Sequence, residues 1–169
     1  MNSENQTDHF LESLEKHKGI IYKIVNAYCK NDEDKKDLIQ EIITQLWKSH
    51  SRYNNEYKFS TWVYRITLNV SISFYGQNKK RANIHHRLNL ESIQLINEET
   101  TRPDENLQQL QRFISELKEL DKALILLYLD QKSHNEIAEI LGISTSNVAT
   151  KIARIKMKLK DRFSKINTD

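Results

Sequence analysis

"SHNEIAEILGISTSNVATKIARIKMKLK", residues 133–160, carries two helical patterns around one sharp turn. Ser133 with Glu136 three residues later is a capping-box pair, whose hydroxyl and carboxylate satisfy amides at a helix start. Ile137, Ala138 and Leu141 then share an apolar face. Gly142 falls where the chain needs a left-handed residue to leave the helix, and Ser144 is placed to cap the next one. Ile143, Val148, Ile152 and Ile155 seal the second helix onto the first. The pattern predicts a helix-turn-helix. In that motif the second helix enters the major groove with its N-terminal residues toward base edges. Here those are Thr145, Ser146, Asn147, Ala149, Thr150 and Lys151, with Arg154 one turn further on. Hydroxyls, Asn and small side chains suit bases, or phosphates near a helix N-terminus. Later Lys and Arg would neutralise phosphates. The plainer alternative is a helical hairpin with a solvated basic face. Capping, glycine placement and charge together favour DNA.

Composition bounds the rest. The chain has 169 residues, room for one ordinary domain or two small ones. Only 38% of residues are hydrophobic and 29% are charged, so each core is modest. Three Gly and one Pro are too few turn residues for a sheet protein, which argues for helices. The net charge of +3 says little, but its distribution says more. From Lys151 to Lys165 there are seven basic residues and one acid, and Lys79, Lys80, Arg81 and Arg87 form a second basic cluster. The stretch from Glu91 to Asp121 leans acidic. Segregation of this kind assigns particular faces to a polyanion. Cys29 is the one cysteine, so no intramolecular disulfide and no cysteine-based zinc site is expected. The first ten residues lack a signal-peptide apolar region, and the apolar run "ALILLYL" is too short to span a bilayer. The expectation is a soluble cytoplasmic protein with no membrane insertion.

Helical periodicity recurs along the chain. Phe10, Leu11, Leu14, Ile20, Ile21, Ile24, Val25 and Tyr28 mark a first segment, and "NDEDKKD" reads as a polar break. Ile39, Ile42, Ile43, Leu46 and Trp47 then predict one apolar helix face, with Gln40, Glu41 and Gln45 on another. "SRYNNEYK" reads as an Asn-rich loop. A helix is predicted from about Ser60 to Tyr75, with Phe59, Trp62, Val63, Ile66 and Val70 as its core stripe and Gly76 as its stop. Residues 77–106 have weak periodicity and hold the one proline, Pro103. They read as a linker with a transient helix near Arg87 to Ile96. Stripes resume with Leu107, Leu110, Phe113, Ile114, Leu117 and Leu120, and a short helix follows Asp121. The fold expected is all-α: two small helical domains joined by a linker, the C-terminal one a helix-turn-helix. The boundaries expected are 1–81, 82–104 and 105–169.

The N-terminal half combines an acid-and-amide helix, an aromatic loop, and a Trp/Tyr/Arg helix ending in basic residues. Aromatics beside positive charge suit unstacked single-stranded bases. The residues Asp37-Leu38-Ile39-Gln40-Glu41 with Trp47, then Phe59-Ser60-Thr61-Trp62-Val63-Tyr64-Arg65-Ile66 and Asn69, closely resemble the second domain of extracytoplasmic-function (ECF) sigma factors. Glu136-Ile137-Ala138, Leu141-Gly142-Ile143-Ser144, Val148 and Arg154 resemble that family's fourth domain. The resemblance covers about residues 10–81 and 105–163, in the family's order. Two departures stand out. Ala149 occupies a position where family members often carry a basic residue, and "ELKELDKA" replaces a common Leu-Pro pair.

The resemblance implies a dissociable subunit of bacterial RNA polymerase. Asp37, Gln40, Glu41 and Gln45 would bind core RNA polymerase, against the plainer reading of a solvated helix face. A flipped base of the promoter −10 element would be captured near Tyr53 and Asn69, with Ser73 a turn on, and Arg65, Lys79, Lys80 and Arg81 would hold phosphates. Trp62 reads better as packing, whereas Tyr64 fits either role. The helix-turn-helix would read the −35 element as duplex. A short linker would stand where housekeeping sigma factors have a third domain. The partners implied are core RNA polymerase, promoter DNA and an anti-sigma factor. No cofactor, metal or enzymatic activity is expected. His85-His86 read as solvated linker, and no Gly-rich phosphate loop, HExxH pair or nucleophile arrangement occurs. The rival reading is a free-standing dimeric helix-turn-helix regulator, which would need a self-association surface and a palindromic target.

Overall fold

The computed structural model describes residues 3–86 and 104–166. Within them lie seven helices and no strand: α1 (Ser3–Tyr28), α2 (Asp32–His50), α3 (Phe59–His86), α4 (Glu105–Ser115), α5 (Glu119–Leu129), α6 (His134–Leu141) and α7 (Thr145–Ile166). The all-α, two-part expectation stands.

Two boundaries differ from the sequence reading. "NDEDKKD" is not a break but the start of α2. Asn31 caps it by accepting a 2.7 Å hydrogen bond from the Asp34 amide, and Asp32, Glu33 and Asp34 occupy the first turn. Three carboxylates there complement the positive end of the helix dipole, so their polarity promotes the helix. Gly76 is likewise no stop. A glycine ends a helix by taking positive φ, and Gly142 is the glycine that does so. α3 continues through Arg81 to His86, so the first part of the expected 82–104 linker is helical. The helix expected near Arg87 to Ile96 lies outside the described residues, as do the side chains of Lys79, Lys80, Arg81, His85 and His86.

Helices α1, α2 and α3 share one core. Phe10, Ile21 and Val25 of α1, Leu38, Ile42 and Leu46 of α2, and Val63 of α3 are buried together with Cys29. The buried stripe of α2 is therefore centred on Leu38, Ile42 and Leu46, one position off the expected one. Ile43 and Trp47 are left 37% and 46% exposed at its margin. Cys29 is buried at the end of α1, and burial pushes its thiol above the ordinary value.

A second core belongs mainly to the C-terminal half. It gathers Phe113 and Ile114 of α4, Ala123, Leu124, Ile125 and Leu127 of α5, Ile137 and Ile140 of α6, and Val148, Ile152, Ile155 and Leu159 of α7. Ile24, Tyr28, Tyr64 and Leu68 of the N-terminal half join it. α3 thus carries two stripes. The expected one (Val63, flanked by Phe59, Trp62, Ile66 and Val70) faces α1 and α2. The other (Tyr64, Leu68, Ile72, Tyr75) meets the C-terminal half. Thr67 and Ser71 are fully buried, and neither hydroxyl has a hydrogen-bond partner.

Two stability outcomes are expected. Ser133→Ala removes the capping box and lowers unfolding free energy by about 1 kcal/mol, read as a lower urea midpoint at unchanged slope. Thr67→Val has the opposite sign. Removing a buried, unpaired hydroxyl at nearly constant shape raises the urea midpoint, by roughly 1 kcal/mol in free energy.

Candidate nucleic-acid interface

The turn between α6 and α7 is built as the sequence demands. The Ser133 amide donates to the Glu136 carboxylate at 2.8 Å, and the Glu136 amide donates to the Ser133 hydroxyl at 3.2 Å. Hydrogen bonding to the Ser133 amide, and then to its side chain, holds the Glu136 carboxyl below its ordinary value. Gly142 takes φ of 67°. The Ser144 hydroxyl accepts from the Asn147 amide at 3.2 Å and starts α7.

Val148, Ile152, Ile155 and Leu159 bury one side of α7. Thr145, Ser146, Asn147, Thr150 and Arg154 are exposed, while Ala149 and Lys151 are partly so. Asn147, Thr150, Lys151 and Arg154 recur at three- and four-residue spacing, so they form one outward ridge. Two hydroxyls on this surface already have partners. Thr150 donates to the Ser146 carbonyl at 3.0 Å, which leaves its lone pairs outward. Thr145 donates to the side-chain oxygen of Asn135 at 3.1 Å. Asn135, at the start of α6, is a residue the sequence reading missed. Its spacing from Thr145 has no local signature, because only the folded turn brings them together.

Two of the seven basic residues of α7 are engaged within the C-terminal half. Lys156 turns back to α5, with its ammonium 3.2 Å from the Tyr128 hydroxyl and 5.1 Å from that ring's centre. Arg162 pairs with Glu116 of α4 and lies 5.2 Å from the centre of the Phe113 ring. Lys151 and Arg154 have no ion pair among the described residues and stay available to an external anion.

In the N-terminal half, an open cleft of about 580 Å³ runs between α2 and α3. Asp37, Glu41, Gln45 and Ser49 form its α2 rim. Asn69, Ser73 and Gln77 form the α3 rim, and Ile66, Val70 and Phe74 contribute apolar surface. The Gln45 amide donates to Glu41 at 2.9 Å and fixes that carboxylate along the rim. The cleft joins residues that the sequence reading kept apart: three of the four polymerase-facing candidates and two of the −10 candidates. Gln40 is exposed on α2 but does not line it.

Tyr53 lies elsewhere. Its hydroxyl donates to the Tyr57 carbonyl at 2.6 Å. Its ring packs against Phe59 and Trp62, with centroids 5.5 and 5.2 Å away. Trp62 packs against the N-terminal core, as expected of it. His50 abuts this aromatic group, 6.3 Å from Trp62, and burial followed by the charge of His9 lowers its pKa. Arg65 lies 5.1 Å from the centre of the Tyr57 ring, next to the 51–58 loop. Tyr64, which the sequence left between packing and DNA, is 4% exposed and donates its hydroxyl to Asp130 of the C-terminal half.

Comparison with known proteins identifies the family. Sigma-70 region 2 matches residues 14–81, and Sigma-70 region 4 matches residues 107–159. The chain is 30% identical over 165 residues to the RNA polymerase sigma factor SigZ of Bacillus subtilis, covering 95% of this chain and 86% of that protein. It is 27% identical over 167 residues to the ECF RNA polymerase sigma factor SigW of the same organism, covering 92% and 89%. Among solved structures, the Bartonella quintana sigma factor RpoE, determined in complex with the anti-sigma factor NepR, superposes with a TM-score of 0.68 at 18% identity. That superposition covers 92% of this chain and 97% of RpoE. Both family regions lie in order on the two helical halves, and the chain belongs to the ECF RNA polymerase sigma factors.

Proposed function

We propose that this sigma factor divides promoter recognition between its halves while α2 holds core RNA polymerase. The observation that carries this reading is the pairing of an exposed, anion-free ridge on α7 with a polar-rimmed cleft on α2 and α3. The ridge (Asn147, Thr150, Lys151, Arg154, with Thr145, Ser146 and Ala149 beside it) meets the −35 duplex. Ala149 leaves space where a longer side chain would touch a base, so shape and deformability of the duplex carry part of the discrimination.

Asp37, Gln40, Glu41 and Gln45 dock on the polymerase. Exposed carboxylates and amides give such a contact orientation and specificity more than raw affinity. Asn69 and Ser73 face an extruded −10 base from the opposite rim; Tyr53 and Arg65, outside the cleft, meet the flanking strand, and Tyr64, buried against Asp130, serves packing. Lys79, Lys80 and Arg81 hold the backbone beyond it. An acidic rim disfavours phosphate but accepts hydrogen bonds from an exocyclic amine. The base and the polymerase therefore meet the protein across one groove. An anti-sigma protein is the further partner proposed, since the similar RpoE structure holds one.

Transcription by purified core RNA polymerase on a promoter-fragment library tests the reading. Specific transcripts are expected only when the protein is added, and Asp37→Lys with Glu41→Lys abolishes them. Tight binding to a palindromic duplex with no transcripts would instead establish a dimeric regulator. Arg154→Ala is expected to weaken promoter binding and to reduce the slope of log affinity against log salt by about 1. An unchanged slope would remove Arg154 from the phosphate contacts.

A further inference from the structure

The two rims of the cleft differ in how their polar groups are engaged. On α2, Ser49 donates to the Gln45 carbonyl at 2.6 Å and the Gln45 amide donates to Glu41 at 2.9 Å, so that rim is tied along its own length. On α3, Asn69, Ser73 and Gln77 line the cleft and are exposed. Their side chains have no hydrogen bond among the described residues. They recur at every fourth residue and form one row, with rungs about 6 Å apart at 1.5 Å per residue. Val70 and Phe74 each follow a rung by one position and line the same cleft with apolar surface. Asp37 and Glu41 face the row from the other helix. Asn69 and Ser73 serve one extruded base, which leaves Gln77 one rung further on.

We propose that Gln77 is a specificity-determining residue for the −10 element, which takes the adenine edge of a second unpaired base beside the one at Asn69 and Ser73. This rests on the promoter-reading function proposed above, and three observations carry it. First, the pitch of the row fits parted bases. Stacked bases follow one another at about 3.4 Å along a strand. Rungs about 6 Å apart meet neighbouring bases only after the stack has opened. Gln77 lies about 12 Å along the helix from Asn69, beyond the first base. Second, its chemistry is selective. A carboxamide donates and accepts side by side, and pairs bidentately with N7 and the N6 amine of adenine. Gln77 keeps both functions uncommitted, unlike Gln45 across the cleft. Third, the surroundings orient a strand. The carboxylates of Asp37 and Glu41 repel phosphate, so the backbone stays outside and the base edges point inward. Phe74, between Ser73 and Gln77 on α3, lines the cleft with an aromatic surface on which a base can stack.

The test uses the full chain with purified core RNA polymerase on promoters randomised base by base through the −10 element, with transcripts counted for each base. The parent chain is expected to prefer adenine at one position that Gln77→Ala renders indifferent, with about tenfold less discrimination there and unchanged preferences elsewhere. Gln77→Glu, which turns the donor into a second acceptor, should move the preference at that same position toward cytosine, whose N4 amine suits a carboxylate. A second measurement replaces adenine by 7-deazaadenine at that position in a pre-opened promoter. The parent complex should bind it severalfold more weakly, and the Gln77→Ala complex should not distinguish the two. Unaltered base preferences in both variants, or an equal loss on every promoter, would overturn the assignment. Absence of specific transcripts with the parent chain itself would overturn the promoter-reading function and the role of Gln77 with it.

Discussion

Helix α3 is buried on two sides, and this constraint organises the molecule. Val63 faces α1 and α2, while Tyr64 and Leu68 face the C-terminal half. Adjacent residues 100° apart on a helix cannot share one narrow stripe, so the buried arc is wide. Thr67 and Ser71 lie within it, fully buried and unpaired. The small arc left to solvent carries Asn69 and Ser73, both exposed. Among the described side chains of α3, Asn69 and Ser73 lie on that arc, opposite the acids of α2. The cleft follows from the packing and needs no loop to shape it.

Charge is distributed with the same economy. The net value is only +3, yet Lys156 and Arg162 are engaged inside the C-terminal half. Lys151 and Arg154 remain outward near the start of α7. Lys158, Lys160 and Lys165 are exposed further along the helix.

The helix-turn-helix was legible in the sequence because its signals are local. The Ser133–Glu136 pair, Gly142 and Ser144 each act within one turn, and each takes the role its chemistry prescribes. The stripes were legible to within one residue. The ends of α2 and α3 were not. Carboxylates suggest a polar break by composition yet favour the first turn of a helix, and Gly76 suggests a stop yet does not take the positive φ that ends one. The contacts of Tyr64 were invisible for another reason. They run to Asp130, a residue 66 positions away, and no periodicity encodes a partner at that separation. The same holds for Lys122, whose aromatic neighbours come from two other helices. Of the candidate site residues, those on α7 were read as a surface, whereas Asp37, Glu41, Asn69 and Ser73 were read as two surfaces and share one.

Cys29 closes the first core at the end of α1, 7% exposed, with its thiol raised by burial. Sulfur chemistry begins from the thiolate, and this thiolate is both scarce and covered. Oxidants that climb the ladder from sulfenic acid to disulfide start with accessible, low-pKa thiols, and this chain holds no second cysteine to resolve such a species. Its own sulfhydryl is therefore deaf to oxidative stress.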